Sequence, residues 1–309
     1  MLFAHLETFA AVSRHRSFTR AAAELALSQP AVTQHIAALE ASLDCRLLDR
    51  RGREVRLTAE GEHLLACHHR IQAALAELHR ELADARGGSS GRLSVGAGLT
   101  ICIFTLPALL AEYRLRHPGV ELHVRSGRTR DVLDMVLAGQ VDLGLVTSPV
   151  KHRLVETTPL YQDRMVVITR PEHPLAVDNR PVDATALDAH RLILFERGSG
   201  FRAYLEEVFE SQGVLLRPDM ELDSIEAIKE MVLAGLGISV VPEVAVTREL
   251  QAKGLVSLPL RDWPVMERTT SLIQRRSPEP HNRAAAAFSQ LVTEFYGAED
   301  GQPATRAPA

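Results

Sequence analysis

Residues 17–43, SFTRAAAELALSQPAVTQHIAALEASL, read as two short helices joined by a tight turn. Ser17 is placed to cap the first helix, and Phe18, Ala21, Ala22 and Leu25 follow at the spacing of one apolar helical face. The alanines are small enough to let a second helix approach closely. Ser28 is placed to cap that helix, and Pro30 in its first turn forfeits no needed hydrogen bond. Leu27 and Val32 can staple its start, while Val32, Ile36, Leu39 and Leu43 are expected inside. Ser28, Gln29, Pro30, Thr33 and Gln34 then lie outside near the helix N-terminus. A helix-turn-helix reads base edges in the DNA major groove from that position.

The next stretch extends this reading. Arg46, Arg50, Arg51, Arg53 and Arg56 stand against Asp49 and Glu54, a net charge of +3 within residues 46–56. Leu47-Leu48 and Val55-Arg56-Leu57 flank Arg51-Gly52, as in a β-hairpin with a basic tip. Such a hairpin beside a reading helix acts as a wing that grips phosphates or enters the minor groove. Arg50, Arg51 and Arg53 are therefore candidate DNA contacts. The bland alternative is a three-helix module with a solvated charge run.

Phe9, Ser17, Phe18, Ala21, Ala22, Leu25, Ser28, Gln29, Pro30, Ala31, Val32, Ile36, Leu39, Glu40, Leu47, Arg50, Leu57, Thr58 and Gly61 together resemble the N-terminal pattern of the LysR-type transcriptional regulators. Asp44 stands where a Gly is usual and Leu48 where a Phe is usual. The resemblance extends more weakly past residue 90. It implies an N-terminal winged helix-turn-helix with a long dimerising linker helix. An α/β effector domain of two lobes, like periplasmic solute-binding proteins, is implied to follow.

Composition sets limits. The chain has 309 residues, enough for two or three folding units, and is 46% hydrophobic. Its net charge is −4, so outside the basic wing it is acidic, and DNA binding must rely on a local patch. No apolar run suits a membrane span, and the N-terminus has no basic segment of the secretory kind, so a cytoplasmic protein is expected. Three separated cysteines, Cys45, Cys67 and Cys102, argue against a disulfide framework. Cys102 alone lies in the effector domain, which weakens a paired-cysteine oxidant sensor. His63 and Cys67, four apart and followed by His68 and His69, could hold a metal, but packed helix histidines are the blander reading. No cofactor or metal is implied.

Residues 1–60 form the expected DNA-binding domain and 58–87 one long helix. In it Leu64, Ile71, Leu78 and Ala85 repeat every seven residues, with His68, Leu75 and Leu82 four later. That seam predicts pairing with a second copy; packing on its own domain is the alternative. Residues 88–91 act as a hinge within Gly87-Gly88-Ser89-Ser90-Gly91. Residues 92–296 alternate strands and helices as an α/β domain with mostly parallel strands. Strands are predicted at 93–95, 120–124, 143–146, 164–169, 192–195, 238–241 and 269–274. Helices are predicted at 101–116, 130–138, 202–212, 224–234, 243–251 and 282–295. The resemblance divides the domain into one lobe of 92–161 with 267–296 and another of 162–266. The tail 297–309 is expected to be disordered.

A ligand cleft in such a fold lies at strand C-terminal ends and helix N-termini. Thr100, Arg128, Thr147 and Ser148 qualify in the first lobe, and Gly198, Ser199, Gly200 and Arg202 in the second. In the latter, GSGFR follows a strand and opens a helix, so amides, a hydroxyl and Arg202 could hold an anion. It resembles the GSGTR motif of one LysR subgroup, whose inducers are often phosphorylated metabolites or small oxyanions; Phe201 replaces the Thr. A plain strand-to-helix turn with Arg202 in a salt bridge is the alternative, and Thr100 could simply cap a helix. Gly96-Ala97-Gly98 lacks the rest of a dinucleotide fingerprint, and no nucleophile elbow or P-loop is present.

The reading that follows is a regulator, not an enzyme. It binds double-stranded promoter DNA and senses a small anionic inducer. As the resemblance implies, it assembles as a dimer of dimers and engages RNA polymerase. A solute-binding transport protein would explain residues 92–296 but not the wing. An oxidant- or metal-responsive regulator, or an enzyme built on the Gly-rich loop, is a weaker alternative.

Overall fold

The computed structural model describes residues 2–49, 55–85, 91–178, 180–183, 187, 189–197, 200–261, 266–276 and 282–296. Two compact units divide the chain, Met1–Gly87 with Leu137–Gln140 and Gly88–Val136 with Val141–Ala309. The first contains α1 (Leu2–His15), α2 (Phe18–Glu24), α3 (Gln29–Leu43), an antiparallel ribbon of β1 (Leu48–Asp49) and β2 (Arg56–Leu57), and α4 (Ala59–Ala85). Ser17 Oγ accepts from the Arg20 amide and Ser28 Oγ from the Ala31 amide, each at 3.3 Å, so both predicted caps form. Phe9 and Val12 of α1 bury against Ala21, Ala22, Val32 and Ile36. Two side chains depart from expectation. Leu27 is 38% exposed instead of stapled, and the turn closes by backbone, Leu27 N donating to Ala22 O at 2.9 Å. Leu43 is 44% exposed because α3 outruns the core, its last buried position being Leu39. The helix stops at Asp44 in the left-handed region, φ 50°.

The ribbon is tied down by polar groups. Glu40 Oε1 accepts from the Leu47 and Leu48 amides at 2.8 and 3.3 Å. Thr58 donates its hydroxyl to Arg46 O at 2.7 Å and accepts from the Gly61 amide at 3.0 Å. At Gly61 α4 runs so close that a Cβ would stand 2.1 Å from Leu47 O. The expected α4 seam divides. Leu64, Leu65 and Ile71 pack on the first unit's own core, and His68 is buried beside Glu7, whereas Leu78 and Leu82 are each 47% exposed. Only the second half of the seam is therefore open to another copy. The wing tip, the hinge residues 86–90 and the tail 297–309 lie outside the described residues.

In the second unit, one sheet runs in the order β10 (Val256–Ser257), β6 (Val155–Thr169), β11 (Glu267–Arg275), β5 (Leu143–Thr147), β3 (Arg92–Ala97), β4 (Glu121–Ser126), with β9 (Ser239–Pro242) also on β6. A separate parallel pair joins β7 (Ile193–Phe195) and β8 (Met220–Leu222). The pairs β3–β4 and β3–β5 are parallel, but every pairing of β6 and β11 is antiparallel. The sheet is thus more mixed than the expected mostly parallel one, because β6 runs from one lobe into the other and pairs antiparallel with β11, β9 and β10. β6 is longer than the strand predicted at 164–169, and it accommodates Pro159 where the register shifts between Thr270 and Ser271.

Helices flank the sheets: α5 (Leu99–Phe104), α6 (Leu106–Arg116), α7 (Thr129–Leu137), α8 (Pro174–Val177), α9 (Gly200–Ser211), α10 (Ile225–Leu233), α11 (Thr247–Gln251) and α12 (Arg283–Tyr296). The helix predicted at 101–116 is two helices, broken at Thr105 ahead of Pro107, which has no amide to donate and crowds the preceding turn. The helix predicted at 243–251 likewise splits into the 3₁₀ turn Glu243–Ala245 and α11. One lobe's core joins β3, β5, α6 and α12 through Leu93, Leu109, Tyr113 and Phe288. The other packs two apolar layers, one around Leu205, Phe209 and Val240 and one around Ile228, Val232 and Val241. Within the described residues no helix is long and apolar enough to cross a membrane.

Gly61→Ala should force the ribbon off α4 and lower the stability of the first unit by about 1–3 kcal/mol. Gly91→Ala, whose Cβ would meet Ala284 at an ordinary 3.6 Å, should leave it unchanged. Urea melts of the two variants compare them directly.

Candidate functional site

The outer surface of α3 begins with exposed Ser28, Gln29, Pro30 and Gln34. Thr33 is half-buried, its hydroxyl donated to Gln29 O at 3.0 Å. The opposite side of α3 is fixed to α1. Thr8 donates its hydroxyl to Ala4 O at 2.8 Å, so it accepts from His35 Nδ1, 2.9 Å away. The His5 and His35 rings lie 4.5 Å apart, and burial, then His35, lowers the His5 pKa. The helix thus presents its polar N-terminal residues from a rigid seat. Arg46 and Arg56, at the described ends of the wing, are exposed, while Arg50, Arg51 and Arg53 lie outside the described residues.

The second unit brings several predicted effector residues to one place. Thr100 starts α5 just after β3, and Thr147 and Ser148 end β5. All three are half-buried. Ser148 is held by its amide donating to Thr269 O at 2.8 Å and by a 2.6 Å hydroxyl contact with Ser271. Arg128 follows β4, and its guanidinium reaches across to Glu196, which follows β7 in the other lobe. Gly198 and Ser199 lie outside the described residues, and Gly200 opens α9.

Arg202 does not join this group. Expected as the anion's charged partner, it is completely buried on the face of α9 that meets the β7–β8 pair. Its guanidinium donates to Glu206 at 2.9 Å, to Phe195 O at 3.3 Å and to Glu221 at 3.4 Å. These contacts make it an internal strut. The available signal was the i,i+4 spacing of Arg202 and Glu206 on one helix.

Three residues that sequence reasoning missed stand where the strands cross between lobes. Asp163 on β6 is paired directly opposite Arg268 on β11, and Arg268 Nη2 donates to it at 3.3 Å. Phe201, at the start of α9, lies over the Arg268 guanidinium, 5.3 Å from ring centre to Cζ. Burial raises the Asp163 pKa against the opposing effect of Arg268. Next along the same face of the strands, Tyr161 meets Thr105 at 2.8 Å and stacks on Tyr296. Burial pushes both tyrosine hydroxyls up. No sequence signal links Asp163 to Arg268, because their pairing depends on the sheet.

A helix-turn-helix with a basic ribbon in one unit and a two-lobed cleft in the other define a ligand-responsive DNA-binding regulator. Residues 3–62 match the profile described as "Bacterial regulatory helix-turn-helix protein, lysR family", and residues 86–296 match "LysR substrate binding domain". The chain belongs to the LysR family of transcriptional regulators. It is 34% identical over 287 residues to the RuBisCO operon transcriptional regulator of Allochromatium vinosum, covering 93% of this chain and 94% of that one. A full-length variant of OxyR from Pseudomonas aeruginosa is similar over 100% of this chain and 99% of its own, at 25% identity and a TM-score of 0.60. The regulatory domain of Synechocystis CcmR in complex with 2-PG covers 68% of this chain and 99% of its own, at 26% identity and a TM-score of 0.61.

Arg202→Ala should lower the stability of the second unit by about 1–3 kcal/mol, because the fully buried side chain leaves a void and its hydrogen bonds to Glu206, Phe195 O and Glu221 are lost. If calorimetry gave a wild-type melting profile, the strut assignment would be wrong.

Proposed function

We propose that the chain switches transcription in response to a small anionic metabolite, by binding and not by catalysis. The observation that carries this reading is the Arg128–Glu196 ion pair between the lobes. It puts an accessible cation at the cleft, paired with a carboxylate of the facing lobe that an anion could replace. Thr100, Thr147, Ser148 and Arg128 would approach the ligand from one lobe, and the Gly198–Gly200 loop from the other. A ligand must touch both lobes to favour one closure state. Relatives named as RuBisCO operon regulators and the CcmR domain bound to 2-PG make 2-PG the first anion to test. Calorimetric titration with 2-PG should show binding that weakens in Arg128→Gln. Absence of binding by 2-PG, inorganic phosphate and small dicarboxylates would overturn the anionic reading.

On DNA, we assign Ser28, Gln29, Pro30, Thr33 and Gln34 to the major groove, and Arg50, Arg51 and Arg53 to phosphates or the minor groove. Gln34→Ala should change preference among operator variants by about 1–3 kcal/mol per lost contact. Arg53→Ala should weaken binding to all sequences and reduce the salt slope by about 1. Electrophoretic shifts across a salt series separate the two behaviours.

We assign Leu78 and Leu82 to pairing between two copies of α4, with two such dimers forming a tetramer at a cytoplasmic promoter and engaging RNA polymerase there. Burying an aspartate in that seam should dissociate it. Leu78→Asp should therefore lower the mass measured by light scattering at micromolar concentration, and an unchanged mass would remove the seam from the assembly.

A further inference from the structure

The guanidinium of Arg268 is nine-tenths buried and incompletely used. Its side chain is 10% exposed, and that of Asp163 4%. One N–H reaches Asp163 at a long 3.3 Å, while the buried Nε has no hydrogen-bond partner among the described residues. A guanidinium offers five donors in a fork that suits carboxylate and phosphate oxygens, and charge-assisted bonds of that kind run shorter than this one. The pair is therefore under-satisfied for its burial.

Its position matters as much. Arg268, Thr270, Asp163 and Tyr161 share one face of the β6–β11 ladder, since Arg268 is opposite Asp163 and Thr270 opposite Tyr161. That face is flanked from one lobe by the α5–α6 break, through Thr105 on Tyr161. From the other lobe it meets Phe201 of α9 on Arg268 and the Val244 amide on Asp163. One strand over, Ser148 bonds Thr269. The Gly198–Gly200 loop ends next to Phe201. Arg268, and not Arg202, is thus the cation that the start of α9 faces, through Phe201.

We propose that Arg268 is the residue that recognises the effector's anionic group, with Asp163 as the counter-ion it releases when the anion enters. This rests on the reading that the effector is anionic. The ligand class is a phosphate or carboxylate monoester-sized anion able to offer two oxygens to the fork. Exchange of one internal carboxylate for a ligand oxyanion keeps the buried cation paired in both states. Because β6 runs from one lobe into the other, the exchange occurs on the ladder that joins them.

The two members of the pair make opposite predictions. With 2-PG and inorganic phosphate as probes in calorimetry on the full chain, Arg268→Gln should weaken binding at least about thirtyfold. Asp163→Asn keeps the shape, removes the competing charge and should tighten binding about threefold or more. Affinity for operator DNA without anion should be unchanged in both. If Arg268→Gln fails to fold, as judged by circular dichroism, Asp163→Asn decides alone, since a purely structural pair predicts weaker binding there. Wild-type binding with unchanged affinity in Arg268→Gln overturns the inference and leaves the anionic reading standing. A wild-type protein that binds neither probe nor any small dicarboxylate overturns both.

Discussion

Everything the second unit can do depends on one long strand, β6, that runs from one lobe into the other, and on its ladder with β11. β6 pairs with β11 through residues 155–164 and then with β9 and β10 through 165–169. β11 closes the circuit by pairing with β5 through Thr270–Gln274. Two antiparallel strands bonded along their length can twist and bend together but cannot slide without breaking their ladder. The lobes can therefore differ in angle while the cleft floor keeps its residues opposite one another. The register shift at Thr270/Ser271 is the irregular point in that ladder. Local bulges of this kind increase twist and bend a strand. The conversion of a ligand contact into a change of lobe angle is most economically placed there, beside Tyr161, Asp163 and Arg268.

The first unit obeys a different constraint, close approach. Gly61 lets α4 run against Leu47 O, and Glu40 and Thr58 satisfy the amides and carbonyl that this approach buries. Among the described residues the ribbon has two residues in each strand. Its orientation is borrowed from the end of α3 and the start of α4. The described base of the ribbon is thereby fastened to α3, the helix that would read bases.

Much of the fold was legible because it is local. Ser17 and Ser28 sit where caps are needed, and Val32, Ile36 and Leu39 recur at helical spacing, so α2 and α3 follow from the sequence. The strand alternation from Leu93 to Val146 is equally plain. What was illegible is non-local. Pro159 looks like a break until its partner strand is known. The halves of the α4 seam read identically, yet Ile71 is used within the unit and Leu78 is left open. That Thr100, Arg128, Thr147 and Ser148 stand close after strand ends could be read from a topological rule. Arg202 could not be separated from a ligand residue by its motif, because burial depends on which face of α9 meets Glu221. Arg268 and Asp163, 105 residues apart, have no meaning before the register is known.

The energies of the two ion pairs near the cleft give them different roles. Arg128 and Glu196 are 62% and 41% exposed, and an exposed pair contributes about 0–1 kcal/mol. Driving a two-state equilibrium from 1:99 to 99:1 takes about 5.5 kcal/mol of differential binding. Loss or gain of the Arg128–Glu196 contact is by itself too small to switch the lobes. At a buried guanidinium more is at stake, since a charge left unpaired there is strongly unfavourable. The Asp163–Arg268 pair therefore restricts the arrangements open to the β6–β11 ladder more strongly than the exposed pair at the mouth of the cleft does.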